Sequence, residues 1–189
     1  MMLLFVPAIL LSPSDIADVR FRIEAMVMQD QEARNLWIEE DKAGKKDLGV
    51  ISDMERIDRE DTAAMKRIVD QYGWPTISRF GKECAFDAWL LVQHADRDPA
   101  FQERCLKLME PLVAKKEAEG QNYAYLADRV STKKTGKQLY GTQCKIEKGK
   151  VVLDPVIDPK NLDKRRKAMG MMPIAQYLKL VSDMYLPKK

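Results

Sequence analysis

Residues 12–42 read SPSDIADVRFRIEAMVMQDQEARNLWIEEDK, and this stretch decides the fold class. Its apolar side chains recur at three- and four-residue spacing, which is the period of one helix face: Ile16, Val19, Ile23, Met26, Ala33 and Trp37. Asp30 interrupts that face once. The stretch opens with a helix start, because Ser12 is a favoured N-cap, Pro13 suits the first position and Asp15 suits the third. A long helix is therefore predicted from about Pro13 to the end of the stretch.

Similar periodic segments, separated by turn and helix-end residues, follow along the chain. Ser52 and Glu55 form a capping box that predicts the start of the second helix, and Asp61 is a polar misfit on its inner face. Including that helix, the later ones are predicted over about residues 52–72, 77–80, 83–95, 98–112, 122–132, 158–170 and 173–185.

The C-terminal half contains one segment with a different period. Apolar and polar residues alternate over residues 137–156, with a turn at residues 147–150, which predicts a β-hairpin. The predicted fold class is therefore mainly α, with a single helical domain over residues 15–189 and one β-hairpin in its C-terminal half.

Composition and charge narrow the classes of partner. The chain of 189 residues is 46% hydrophobic and 32% charged, which is typical of a globular protein. Its formal net charge of +3 is too small to favour nucleic acid as a partner. The densest basic run, Lys160 with residues 164–167, is interpreted as a solvated helix face. Three cysteines, Cys84, Cys105 and Cys144, are too widely spaced for a zinc or redox pair.

The N-terminal segment supports two interpretations. Residues 2–11 read MLLFVPAILL, the length of a signal-peptide apolar region, so residues 1–14 are either a signal peptide or the approach to the first helix. An exported or periplasmic location is favoured over a cytoplasmic one. The run is too short to span a bilayer, so no membrane span is expected.

Residues 93–99 read QHADRDP and hold the only histidine of the chain, at a predicted junction of two helices. A histidine among fixed charges can serve as a general base, a ligand or a buried hydrogen-bond hub. Asp96 or Asp98 could hold one ring nitrogen of His94 and increase the basicity of the other. With no second histidine for a typical zinc set, neither a metal nor a cofactor is predicted.

Two further polar groups lie later in the chain. Tyr125, Asp128 and Arg129 are close together on one predicted helix, where a surface ion pair is the alternative to a functional site. Gly141 lies inside the first predicted strand, which indicates a bulge or the close approach of another backbone or a ligand.

Five motifs occur in a fixed order: GWPT at residues 73–76, AWLLVQHAD at 88–96, DPAFQ at 98–102, AYLADR at 124–129 and YGTQ at 140–143. As a set they resemble the signature of a bacterial family of uncharacterised domains. The resemblance transfers no mechanism, but much of the signature is polar, which implies a shared site rather than core packing alone.

The leading hypothesis is a hydrolase-like or transferase-like enzyme that uses His94 as general acid or base in a polar cleft. The expected catalytic residues are His94, Asp96 and Asp128, and the expected substrate-binding residues are Trp74, Gln93, Arg129, Tyr140 and Gln143. The alternative is a non-catalytic module whose polar motifs form a structural hydrogen-bond network. That module would bind a protein or peptide through an apolar surface such as Trp37, Trp89 and the methionine-rich segments. The partner is accordingly either a small molecule or a protein.

Overall fold

The computed structural model describes residues 11–186. Of these, 72% are helical, in eight α-helices and one short 3-10 helix, and one two-stranded antiparallel hairpin lies at residues 144–153. The predicted mainly α fold with one hairpin in the C-terminal half is confirmed. None of the helices formed by residues 11–186 is long and apolar enough to cross a membrane.

The chain divides into two compact units, one ending at His94 and the other beginning at Ala95. The first unit contains four helices: α1 (Pro13–Lys42), α2 (Leu48–Tyr72), α3 (Ile77–Phe80) and α4 (Lys82–His94). The α1 boundaries are those predicted. The predicted helix start at Ser12 takes the form of a capping box, because the Ser12 side chain accepts the Asp15 N–H and the Asp15 carboxylate accepts the Ser12 N–H. Residues 1–10, and with them the signal-peptide question, lie outside the described residues.

The start of α2 differs from the prediction. The helix begins at Leu48 instead of Ser52, because the Asp47 side chain accepts the backbone N–H groups of Gly49 at 2.7 Å and Val50 at 3.3 Å. Asp47 thus satisfies two of the donors that a helix start leaves unpaired. Gly49 therefore lies inside the first turn of α2.

The core of the first unit forms where α1, α2 and α4 pack against one another. Its fully buried apolar side chains recur along each long helix at the spacing of a single helix face. They are Val19, Ile23, Met65, Ile68, Phe80, Ala88, Leu91 and Val92. Cys84 belongs to this core as a small apolar residue, and burial raises the pKa of its thiol to about 11. Two acidic side chains, Asp30 and Asp61, are also buried here, with 2% and 6% of their surface exposed.

The second unit contains the remaining elements: α5 (Pro99–Ala114), α6 (Gly120–Thr135), β1 (Cys144–Glu147), β2 (Lys150–Leu153), a 3-10 turn (Pro159–Asn161), α7 (Leu162–Ala168) and α8 (Ile174–Tyr185). Asp98 caps α5 as predicted, accepting the Phe101 N–H at 3.0 Å. A small core is formed by α6, the segment after it and the connection between α7 and α8, where Ala124, Ala127, Tyr140 and Met171 are buried.

The hairpin is shorter than predicted, because its first strand begins at Cys144 and not at residue 137. Its register pairs Cys144 with Leu153 and Glu147 with Lys150. Lys148 and Gly149 form the two-residue turn with positive φ at both positions, as a tight hairpin turn requires. Before β1, the backbone N–H groups of Leu139, Tyr140 and Thr142 donate to the Asp128 carboxylate. Because these donors are already used, residues 139–142 do not extend the strand.

Candidate functional site

Four polar side chains gather at one place in the first unit, and we call them the His94 cluster: Asp30, Arg34, Asp58 and His94. Asp30 and Arg34 are one turn apart on α1, Asp58 lies on α2, and His94 is the last residue of α4. The three helices that form the core of the unit therefore each contribute to the cluster. Because its side chains come from three helices that pack against one another, the geometry of the cluster is fixed by the core of the unit.

The distances within the cluster are those of direct hydrogen bonds. The Nδ1 atom of His94 lies 2.8 Å from Oδ1 and 3.0 Å from Oδ2 of Asp30. The Nε atom of Arg34 donates to Asp30 Oδ1 at 3.0 Å, and its Nη2 donates to Asp58 Oδ1. Gln31 donates to the second oxygen of Asp30 at 2.7 Å. Both oxygens of the Asp30 carboxylate are thus used.

The position of the ring proton on His94 follows from this geometry. Arg34 Nε also lies 2.9 Å from His94 Nδ1, but one nitrogen cannot both accept from Arg34 and donate to Asp30. With the proton on Nδ1, the ring and the guanidinium both donate to a carboxylate, and these charge-assisted bonds are the stronger set. With the proton on Nε2, the Nδ1 lone pair would face the Asp30 carboxylate. We therefore assign the proton to Nδ1.

The charge of Asp30 is maintained by its neighbours. Burial alone would raise the pKa of this carboxyl group, but the hydrogen bond from His94, that from Gln31 and the positive charge of Arg34 hold the pKa below its ordinary value. Asp30 is consequently an ionised carboxylate at neutral pH. An ionised carboxylate on Nδ1 orients the imidazole.

The second ring nitrogen of His94, Nε2, takes no part in the hydrogen bonds of the cluster, which all involve Nδ1. Nε2 forms no hydrogen bond with any residue between 11 and 186, and 18% of the His94 side chain is exposed to solvent. A lone pair that points away from the Asp30 bond and is reachable from solvent can accept a proton from a bound molecule.

Asp61 lies beside the cluster, one turn after Asp58 on the same face of α2. Its Oδ2 atom is buried and has no hydrogen-bond partner in the described part of the chain. Burial, followed by the negative charges of Asp30, Asp58 and Glu60, raises the pKa of Asp61 to about 7, and Arg34 offsets part of this effect.

Asp61 should therefore make the stability of the protein depend on pH. Because its pKa rises from 3.8 in the unfolded chain to about 7 in the folded one, the folded state binds the extra proton between these values, and stability falls as pH rises across them. We expect Asp61→Asn to increase the free energy of unfolding by about 2–4 kcal/mol at pH 8 and by little at pH 4.5.

Thermal unfolding at the two pH values measures the effect of this substitution. Asp53→Asn is the matched control, because Asp53 lies on the same helix with 70% of its side chain exposed. An Asp61→Asn variant that is no more stable than wild type at pH 8 would contradict the raised pKa.

The carboxylate partners expected for His94 from the sequence are wrong. Asp96 accepts from Arg129 Nη1 at 2.8 and 3.0 Å and also pairs with Lys133, and Asp98 caps α5. Burial would raise the pKa of Asp96, but these two cations lower it below its ordinary value. The histidine instead binds Asp30, which lies 64 residues away in the chain.

Asp128 organises the loop that carries the YGTQ motif. Its side chain is fully buried on α6, and its two oxygens accept the backbone N–H groups of Leu139, Tyr140 and Thr142 at 2.7, 2.9 and 2.9 Å. The Thr142 hydroxyl donates to it as well, at 2.9 Å. Gly141 allows this loop to close, since its φ is +68° and a side chain there would meet Ile174 at 3.0 Å.

Arg166 supports the same loop from α7. It is 1% exposed and donates to the carbonyl oxygens of Tyr140 at 2.7 Å and Met172 at 2.7 Å, while its guanidinium lies over the ring of Tyr177. The interpretation of this basic run as a solvated helix face is therefore wrong for Arg166. A run of basic letters does not reveal which of its members faces the core.

The remaining expected site residues divide between the two units. Trp74 and Gln93 are buried in the first unit, each with 4% of its surface exposed. In the second unit, Tyr140 belongs to the small core, and Gln143 is held by Gln138, which accepts its N–H at 2.8 Å and donates to its carbonyl at 2.7 Å.

The sequence carried a signal for the residues that it did not assign to the site. Asp30 interrupts an otherwise apolar face of α1, and Asp61 does so on α2. An acidic residue in a core-facing position must find a partner or shift its pKa, so both interruptions point to a polar site inside the helix packing. Arg34 and Asp58 gave no such signal.

The chain was also compared with known proteins. One family model matches residues 17–189, which include all four members of the His94 cluster. The chain belongs to DUF6624, a family of unknown function. The similarity to a family of uncharacterised domains is thereby confirmed, whereas the five-motif signature and the bacterial origin stay predictions for this DUF6624 chain. Neither the curated proteins nor the solved structures gave a match.

Proposed function

We propose that the His94 cluster is the active site of a hydrolase or a related group-transfer enzyme, with His94 as its general acid and base. The observation that supports this proposal is a His94 side chain whose Nδ1 lies 2.8 Å from the Asp30 carboxylate and which is still 18% exposed to solvent. A histidine oriented on one side by a buried carboxylate and reachable on the other is suited to proton transfer.

In the proposed reaction, Nε2 takes the proton of a water or hydroxyl group as its oxygen attacks the substrate. The imidazolium formed in this step is stabilised by Asp30, and the proton then passes from Nε2 to the leaving group, which restores the neutral ring. Arg34 has a positioning role, because its two donors hold Asp30 and Asp58 in place. The charge of the protein is therefore the same before and after the reaction.

For the second unit we propose a structural role. Each acceptor oxygen of Asp128 is used by the 139–142 loop, and Arg129 pairs with Asp96. These contacts favour, for this unit, the alternative of a structural hydrogen-bond network over catalysis by Asp128 or substrate binding by Arg129.

Exposed apolar residues that could serve a protein-binding surface include Met28 and Trp37 on α1, at 69% and 39% exposure.

The reachability of Nε2 can be tested without a substrate. Diethylpyrocarbonate acylates accessible, unprotonated histidine nitrogens, and this chain has one histidine. We expect the folded wild-type protein to gain one ethoxycarbonyl group at His94 that His94→Gln does not gain, as measured by mass spectrometry of the tryptic peptide. A His94 that reacts only after unfolding would show that the ring is a closed structural hub and would refute the active-site proposal.

A further inference from the structure

We propose that Asp30, Asp58 and His94 Nδ1 also bind one divalent transition-metal ion, in exchange for the Arg34 guanidinium, and that the bound ion switches off the acid–base function of His94. Metal binding at the cluster stands on its own geometry. The inhibitory consequence rests on the proposed function.

The ligand atoms are already close together. One carboxylate oxygen from each of Asp30 and Asp58 and one ring nitrogen of His94 all lie within 4.8 Å of one another. Metal bonds of about 2.0–2.2 Å keep ligand atoms about 3–4 Å apart, so small rotamer changes suffice to bind an ion. Two carboxylates and an imidazole suit Zn²⁺ and its neighbours better than Mg²⁺ or Ca²⁺, which prefer oxygen ligands alone.

Arg34 occupies the position of the positive charge in this cluster. Its Nε and Nη2 atoms donate to the same two carboxylates that would bind the ion. The Arg34 and Asp58 side chains are 21% and 20% exposed, so both the guanidinium and its Asp58 partner are in contact with solvent. The guanidinium therefore competes with the ion for the two carboxylates, and this competition lowers the affinity of the site for metal.

Asp61 supplies an independent indication of a ligand. Its Oδ2 atom is buried without a hydrogen-bond partner among residues 11–186, although 94% of the residue is buried and such acceptors are normally satisfied. It lies one turn from Asp58 on the same face of α2. An ion with three protein ligands keeps a bound water, and that water would donate to Asp61 Oδ2.

Metal binding changes the tautomer of His94. The ion takes the Nδ1 lone pair, so the proton on Nδ1 leaves to solvent and Nε2 gains a proton from solvent, with no net proton change on the ring. Nε2 then has no lone pair with which to accept a proton. The same event therefore breaks the Asp30 hydrogen bond and removes the general base.

Calorimetric titration with Zn²⁺ tests the site directly, using the full chain with Cys144→Ser as the background. That background is needed because Cys144 is a free, partly exposed thiol that could bind Zn²⁺ itself. We expect one Zn²⁺ per chain, at least tenfold weaker binding in His94→Gln and in Asp58→Asn, and at least tenfold tighter binding in Arg34→Gln, which lacks the competing cation. Asp53→Asn should bind like the parent.

Nitrogen NMR of the single histidine gives a second readout that needs no variant. Stoichiometric Zn²⁺ should move the ring proton from Nδ1 to Nε2. The inference is overturned if Zn²⁺ does not bind, or if it binds equally well to His94→Gln and leaves the tautomer unchanged.

The two proposals fail in different ways. Zn²⁺ binding with a tautomer change, together with full activity in His94→Gln, would refute the enzymatic proposal and leave the metal site standing. His94-dependent activity without any Zn²⁺-linked tautomer change would refute the metal site alone.

Discussion

Asp128→Ala should lower the free energy of unfolding by about 3–5 kcal/mol, one of the largest effects expected in the molecule. The substitution removes a buried carboxylate and leaves three backbone N–H groups and the Thr142 hydroxyl without an acceptor. Each unpaired buried donor costs about 1–3 kcal/mol, and partial hydration of the loop recovers some of that cost. The melting temperature should fall by roughly 10 °C or more.

Urea and thermal unfolding, followed by circular dichroism, measure this change. Asp183→Ala is the control in the same unit, because Asp183 is an exposed partner of Lys179 on α8 and should change stability by less than about 0.5 kcal/mol. If Asp128→Ala were as stable as the control, the buried carboxylate would not be what holds the YGTQ loop.

His94→Gln should reduce kcat/KM by about 10²–10⁴-fold on any substrate that the wild-type protein turns over, because that is the usual contribution of a general acid or base. Glutamine retains a polar group of similar reach and cannot take up a proton. Asp30→Asn should reduce kcat and leave KM nearly unchanged, because the substitution disturbs the orientation of the ring and not the binding of substrate.

A panel of chromogenic esters and phosphodiesters provides the assay, with far-UV circular dichroism to show that each variant is folded. Asp53→Asn, an exposed change on α2, should keep the wild-type rate. Equal rates for wild type and His94→Gln on every probe that is hydrolysed would remove His94 from the reaction.

Local signals in the sequence predicted much of the fold. The boundaries of α1, the cap at Asp98 and the position of the hairpin follow from periodicity, capping chemistry and turn residues, all of which act within a few residues. The start of α2 was missed because Asp47 competes with the capping box at Ser52, and both patterns are locally valid. The first strand was predicted too long because its alternation cannot reveal that a carboxylate 11–14 residues earlier takes its donors.

The site was only partly predictable for the same reason. His94 was identified because it is the only histidine and lies among charges, but its partner Asp30 is 64 residues away and on another helix. Nearby carboxylates such as Asp96 were the natural choice from the sequence, yet Arg129 and Lys133 take that side chain. Long-range pairing is decided by how helices pack, and the sequence recorded it only as polar interruptions of apolar faces.

The tautomer of His94 is the most direct test of the proposed acid–base site, because the proposed acid–base reaction requires the proton on Nδ1 and the lone pair on Nε2. A long-range proton–nitrogen correlation spectrum of uniformly ¹⁵N-labelled wild-type protein, recorded without metal at a pH where the ring is neutral, measures it. The single histidine leaves no ambiguity of assignment. We expect a protonated Nδ1 and an unprotonated Nε2, whereas a proton on Nε2 would contradict the proposed acid–base site.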